Sequence, residues 1–310
     1  MDTLQFIEGE FPWLMPSFAF VMGAIVGSFL NVCIYRIPAG KSIVSPGSTC
    51  ACGQAIAWYD NIPILSWFIL RGKARCCGGA YSFRYPFVEA LTGFFFLAAW
   101  LSHSPLKALC LMLFSAMLVC ASFIDFDHME IPDRFSIGLA AIGFGLSVLV
   151  PELHDVARSE FAFASVKAAL DSAIGILIGS ATILWIALLA EAILRKEAMG
   201  FGDVKLLGGI GAFLGWQGAI FSIFGGALLG CIGLLFWSIV KKFRPQTETP
   251  SVPATPKTES EDDDQSLERH IPFGPMLSGG ALLYAFLLET EVLQYFSQFE
   301  TLYREISQRL

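Results

Sequence analysis

The chain has 310 residues, of which 55% are hydrophobic and only 15% charged, with a mean hydropathy of +0.62. That balance excludes an ordinary soluble domain, which needs more polar surface, and points to a polytopic membrane protein with the lipid bilayer as its solvent. A net charge of -7 with no compensating basic tract excludes nucleic acid as a partner.

Asp2, Glu8 and Glu10 precede the first apolar run with no Lys or Arg among them, so no cleavable signal peptide is expected. A crossing helix needs roughly 20 apolar residues. On that ruler eight spans are expected, at about 17–35, 86–102, 106–124, 134–151, 170–191, 204–216, 218–240 and 273–290. The sixth is short and rich in glycine (Gly208, Gly209, Gly211, Gly215), which suits a broken or closely packed segment. The expected fold is therefore all-α and polytopic, with about eight transmembrane helices.

Three stretches fall outside the spans. Residues 36–85 make a polar, cysteine-containing domain between the first two helices, too long for an idle connector. Residues 241–271, with their prolines and the acidic run Glu261-Asp262-Asp263-Asp264, read as a disordered linker. In the tail 291–310, Leu293, Phe296, Phe299, Leu302, Ile306 and Leu310 recur at helical spacing, which suits an amphipathic helix on the interface or an extension of the last span. The expected organisation is thus 1–35 (outward N-terminus and first helix), 36–85, a transmembrane core 86–240, the linker, a last helix 272–290 and the tail.

Orientation follows from Lys and Arg near the span ends. Arg36, Lys41, Arg71, Lys73, Arg75 and Arg84, then Arg195 and Lys196, then Lys241, Lys242 and Arg244, share one side if the spans alternate. That side is expected to be cytoplasmic.

Two aspartates stand where an oily chain should not put charge. Asp125 follows the apolar run Leu109 to Ile124, and Asp203 sits in Gly200-Phe201-Gly202-Asp203-Val204-Lys205. An ionisable group at such a position marks a functional site by default, and a pair sharing one proton is the minimum equipment of an aspartyl protease. The neighbouring acids have structural readings: Asp127 belongs to the loop before Ile131-Pro132-Asp133, and Asp133 suits a helix start. Asp203 has one too, as a cap on the sixth span, with Lys205 snorkelling toward headgroups. Gly200 and Gly202 would allow unusual backbone conformations and close approach of an extended substrate strand.

Cys33, Cys110, Cys120 and Cys231 stand alone in apolar runs and read as small buried hydrophobes. Cys50-Ala51-Cys52 and Cys76-Cys77 instead form two close pairs in one polar loop, which suits either a structural Zn2+ site or reduced free thiols. One and zero intervening residues are tighter than usual ligand spacing, and adjacent side chains tend to point apart, so Cys76 and Cys77 need an unusual turn to share an ion.

Several motifs in order resemble one family, the bacterial type IV prepilin peptidases: Gly23-Ala24-Ile25-Val26-Gly27-Ser28-Phe29-Leu30-Asn31-Val32, Trp58-Tyr59-Asp60-Asn61-Ile62-Pro63, Arg84-Tyr85-Pro86-Phe87-Val88-Glu89, Ile124-Asp125, Ile131-Pro132-Asp133, Gly200 to Leu206 and Ile271-Pro272-Phe273-Gly274-Pro275. The resemblance implies a multi-pass inner-membrane aspartyl endopeptidase with Asp125 and Asp203 as its catalytic pair. It would remove the short basic leader of type IV prepilins and type II secretion pseudopilins on the cytoplasmic side. It further implies N-methylation of the new N-terminus with S-adenosylmethionine, in which the domain at 36–85 is involved. The cysteines depart from the family's two Cys-x-x-Cys pairs. Rival readings are another Gly-x-Gly-Asp intramembrane protease, or a non-enzymatic ion-coupled transporter or scaffold whose acids carry cations. The transporter or scaffold does not account for the ordered motifs away from the acids, and the extended cysteine-bearing domain at 36–85 favours the prepilin type over another protease of that kind.

Overall fold

A computed structural model describes residues 9–157, 160–195, 199–243 and 272–298. Most of the expected linker and the last part of the expected tail lie outside those residues. Among the described residues the architecture is helical: α1 (Leu14–Arg36), α2 (Arg84–Ser102), α3 (Pro105–His128), α4 (Asp133–Leu149), α5 (Phe161–Leu194), α6 (Phe201–Phe243) and α7 (Gly274–Leu283). After α7 the helix runs on through a π turn at Tyr284–Leu288 to residue 298, so this part of the tail extends the last helix. Helix is the form that keeps every backbone hydrogen bond inside the segment, as lipid requires. Local signals set the ends: Pro105 opens α3, and α3 stops at Met129, a left-handed residue (φ 55) whose N–H bonds the Asp125 carbonyl at 2.8 Å.

Among the described residues six helices are long and apolar enough to cross a membrane, and the protein is a multi-pass membrane protein. α4, at 17 residues, is shorter, and α6, at 43, contains two of the expected spans. Gly215 interrupts α6 with a non-helical backbone (φ 69, ψ -179). A Cβ on Gly179 of α5 would lie 2.8 Å from the Leu207 carbonyl and 3.2 Å from Ala219 Cβ. Residues 207 and 219 therefore stand at one level of α5, where a straight helix would hold them about 18 Å apart. The chain reverses at Gly215, and the two halves of α6 form a helical hairpin.

Small residues bring the helices into backbone contact, the usual device where lipid removes the hydrophobic drive between helices. A Cβ on Gly23 would be 2.8 Å from Gly93 Cα, and one on Gly27 would be 2.7 Å from Glu89 Cα, locking α1 to α2. Gly175 of α5 and Gly211 of α6 leave no room for a Cβ on either side. α3 runs through the middle, two-thirds buried. Cys33, Cys110 and Cys120 are buried as expected, but Cys231 is exposed; an apolar run in a membrane protein also has a lipid-facing side.

Residues 37–83 form an irregular segment with two isolated β-bridges (Thr49 with Ala55, Lys73 with Ala80), a 3-10 turn at Trp58–Asn61 and a five-residue helical turn at Leu65–Ile69. It is tied to the helices by Arg36, whose guanidinium donates to the Ser42 carbonyl at 3.0 Å, and by Glu89, whose Oε2 accepts from the Ile64 N–H at 2.7 Å.

Candidate active site and cysteine cluster

Asp125 lies one turn before the end of α3 and is 6% exposed; Asp203 lies in the first turn of α6 and is 8% exposed. The start of α6 is shaped by the Asp203 N–H bonding the Gly200 carbonyl at 3.1 Å. The two carboxyl groups are within electrostatic reach of each other. Asp125 Oδ2 also accepts a hydrogen bond, 3.1 Å long, from the backbone N–H of Gly274 at the start of α7. The open N–H groups and positive end of a helix are suited to hold a carboxylate.

Ile131 holds the three chain-distant stretches together. A Cβ on Gly202 would sit 3.4 Å from Ile131 Cβ, and one on Gly274 would meet Ile131 Cδ1 at 3.0 Å and Asp125 Oδ2 at 2.6 Å. Gly274 is thus glycine because Asp125 occupies the space a side chain would need. Neither Gly200 nor Gly202 has a left-handed φ, so the expected conformational role is not what glycine supplies there. Gly202 packs under Ile131, while Gly200 is exposed, with Asp203 Oδ2 4.0 Å from where its Cβ would be.

The other acids at this end are paired. Asp127 bonds Arg84 at 2.7 Å, and Arg84 also donates to the Phe123 carbonyl at 3.2 Å and lies over the Phe123 ring. Asp133 opens α4 and pairs with Lys205 at 2.6 Å, so Lys205 reaches a carboxylate instead of snorkelling away. Among the described residues no Lys, Arg or His pairs with Asp125 or Asp203. Two buried carboxyl groups within electrostatic reach of each other, with no ion-pair partner among the described residues, are fitted for exchanging protons with a third party.

In the segment 37–83 the four sulfurs of Cys50, Cys52, Cys76 and Cys77 lie within 4.8 Å of one another. Cys50 is 3.6 Å from Cys77 and Cys52 is 3.4 Å from Cys76. Each pair sits in a tight reversal. In the first, the Gly53 N–H bonds the Cys50 carbonyl and the Cys50 N–H the Gln54 carbonyl, both at 2.8 Å; in the second, Gly78 bonds Ala74 and Ala74 bonds Gly79, again at 2.8 Å. Gly78, at φ 68, supplies the turn that lets adjacent cysteines face one centre. Tetrahedral zinc with Zn–S of about 2.3 Å separates its sulfurs by about 3.8 Å, so the geometry and the donor set both fit that ion. The backbone N–H of Cys52 and the neighbouring thiols bring Cys50 down to about 7, whereas hydrogen bonding to Cys50 and Cys52 pushes Cys76 up to about 12. Without a cation the cluster holds one thiolate comfortably and resists a second.

Sequence reasoning missed the Gly274 N–H, although Gly-Pro opening an apolar run is a helix-start signal. It also missed Glu89, whose partner Ile64 lies 25 residues away.

Residues 21–103 match the bacterial peptidase A24 N-terminal domain and residues 112–235 the type IV leader peptidase family. The chain is 36% identical over 254 residues to the prepilin leader peptidase/N-methyltransferase of Myxococcus xanthus, covering 79% of this chain and 70% of that protein. It is 36% identical to the Pectobacterium carotovorum protein of the same name, covering 78% of this chain and 90% of the relative. It is also 33% identical to the type 4 prepilin-like proteins leader peptide-processing enzyme of Escherichia coli, covering 90% and 96%. No solved structure matches. By these matches, over a helical bundle that gathers two buried aspartates, the chain belongs to the type IV leader peptidase family.

Proposed function

We propose that this protein is the membrane aspartyl endopeptidase that removes the leader from type IV prepilins and type II secretion pseudopilins, with Asp125 and Asp203 as the catalytic pair. The observation that supports the reading is that two buried carboxyl groups, neither ion-paired among the described residues, lie within electrostatic reach of each other where α3, α6 and α7 end or begin. One carboxylate takes a proton from water, which attacks the scissile carbonyl while the other, protonated, donates to the carbonyl oxygen. Collapse of the tetrahedral intermediate passes a proton to the leaving amine. The Gly274 N–H holds Asp125 in one orientation, so little reorganisation accompanies the reaction. A pilin precursor, held by its own apolar helix, unwinds at the leader junction and lays an extended strand beside Gly200, which is open on its outer side.

The cytoplasmic orientation is supported by charge: Arg36, Arg71, Lys73, Arg75 and Arg84 gather at or beyond the carboxylate end of the helices. An inner-membrane address follows from the same reading. Mass spectrometry of a prepilin N-terminus, after incubation with wild type or Asp203→Asn in vesicles, tests the assignment. Leader removal by the wild type alone is the expected result; processing at the normal rate by the variant would sink it.

The same spectrum reads methylation, the second activity in the relatives' names, for which S-adenosylmethionine is the expected methyl donor. Trp58 and Tyr59 are exposed, and Asp60 beside them is held by Arg75. No step of methyl transfer is assigned to particular residues. The four cysteines fit Zn2+, which when bound would supply a rigid closed crosslink between the two reversals of the domain. Elemental analysis of the purified protein beside a Cys50→Ser/Cys77→Ser variant decides this: bound zinc in the wild type alone supports it, and metal-free wild type leaves four reduced thiols.

A further inference from the structure

The segment 37–83 contains a feature that neither the carboxylates nor the cysteines use. Its helical turn Leu65–Ile69 exposes Leu65 (58%), Phe68 (58%) and Ile69 (71%), three large apolar side chains in five residues. A face of that kind, left in water, needs an occupant.

The depth of this turn is set by one hydrogen bond. Ile64, immediately before it, donates its N–H to Glu89 of α2. Glu89 lies five residues inside the start of α2 at Arg84, about 7.5 Å along the helix axis. It is also level with Gly27 of α1, nine residues, or about 13 Å, short of Arg36 at the end of α1. At that level the outer surfaces of both helices are apolar, with Phe29 of α1 and Phe87 of α2 exposed. Because a helical side chain leans toward the N-terminus, the Glu89 carboxylate that holds Ile64 lies between the level of its Cα and the start of α2, so the turn is anchored at the rim of two membrane-spanning helices, within a turn of the exposed Phe87. From there the chain climbs back: Trp67 packs edge-on against Phe83, just outside α2, and donates to the Tyr81 carbonyl at 3.3 Å. Arg71 and Lys73, both exposed, follow directly.

We infer that Leu65–Ile69 is an interfacial anchor that sinks Leu65, Phe68 and Ile69 into the acyl boundary of the leaflet, with Arg71 and Lys73 at the lipid phosphates. Apolar faces of interfacial helices enter by about 5–10 Å, which agrees with the depth set by Glu89. Basic side chains at the rim are drawn to anionic headgroups. The anchor holds the cysteine-bearing segment against the bilayer, on the side where α3 presents Asp125. The partner is the lipid itself, and the continuity of the patch with the lipid-facing sides of α1 and α2 argues for it over a protein.

A photo-crosslinking amino acid placed at Phe68, in the full-length protein reconstituted into vesicles of phosphatidylethanolamine and phosphatidylglycerol, tests this. Parallel probes at Phe94, exposed midway along α2, and at Gln54, exposed in the first cysteine reversal, give the two reference levels. The expected result is phospholipid adducts at Phe68 in yield similar to Phe94, with none at Gln54. Adducts to a second copy of the chain, adducts to an added prepilin that replace the lipid adducts, or a yield no higher than at Gln54 would each overturn the inference. Because the probe replaces an exposed side chain and the readout is the adduct, the result does not depend on leader cleavage.

Discussion

The two ends of the helix bundle treat buried charge in opposite ways. At the start of α3, Lys107 is 5% exposed, and its ammonium is held by Asp155 at 2.8 Å and Glu289 at 3.0 Å, with the His103 ring against the α7 extension. At the far end of the same helix, Asp125 is as deeply buried, but it has a backbone N–H from Gly274 and a second carboxyl group for company. A buried charge kept for stability is surrounded by its opposite, because the alternative costs several kcal/mol. A buried acid kept for chemistry cannot be, since a fixed counter-ion would hold its proton inventory constant. On the proposed function, the contrast separates a structural knot at one end of α3 from the aspartate that its other end contributes to the catalytic pair.

The largest effect expected from this contrast is at the carboxylates. Asp125→Asn or Asp203→Asn keeps shape and removes the proton exchange, so leader removal should fall about 10³-fold or more, while thermal unfolding in detergent changes little. Lys107→Met is the mirror case. Stranding Glu289 should cost about 3 kcal/mol of stability, read as a lowered unfolding midpoint, with cleavage per folded molecule close to wild type. An unchanged midpoint would mean that the ion network is solvated and the contrast between the ends is false.

Gly274→Ala sharpens the comparison further. Its Cβ would fall 2.6 Å from Asp125 Oδ2, and displacing a reacting group by about 1 Å loses about 10²-fold in rate. The expected result is a drop in kcat of that size with a nearly unchanged unfolding midpoint. Normal cleavage by this variant would show that the Gly274 contact does not position the carboxylate.

The smallest effect lies in the segment 37–83, away from the long apolar helices. The Arg75 guanidinium donates to Asp60 at 2.9 Å and holds its carboxyl below the usual carboxylate range. A depressed acid contributes stability above its unfolded pKa and loses it as the pH falls through the folded value. Protection from hydrogen exchange across residues 58–81, relative to the intrinsic rate at each pH, should therefore weaken in acid for the wild type, below the usual carboxylate range, and show less acid dependence in Asp60→Asn. Identical acid profiles would assign the pair no role.

Much of the fold was legible because lipid simplifies the code: long apolar runs become helices, and each of the expected spans falls on one. The sixth and seventh were split at about residue 217, two residues past the reversal at Gly215, in a glycine-rich stretch expected to be broken or closely packed. The acids Asp125 and Asp203 were legible as charges bordering apolar runs. The partners of Lys107 were not, since Asp155 and Glu289 lie 48 and 182 residues away and nothing local points to them. The expectation that Cys76 and Cys77 point apart was sound local stereochemistry. Gly78 at φ 68 overrides it.

By itself the sequence determined that this is a helical membrane protein, which acids border its apolar runs, and where four clustered thiols are available, because composition and short-range patterns carry that information. Only the tertiary structure decided that Gly274 reaches Asp125 across 149 residues, that Ile131 fills the space between Gly202 and Gly274, and that two cysteine pairs 23 residues apart converge on one centre. Such contacts depend on how helices cross and where loops return. They arise from close packing across the whole bundle, which no single stretch of the chain specifies.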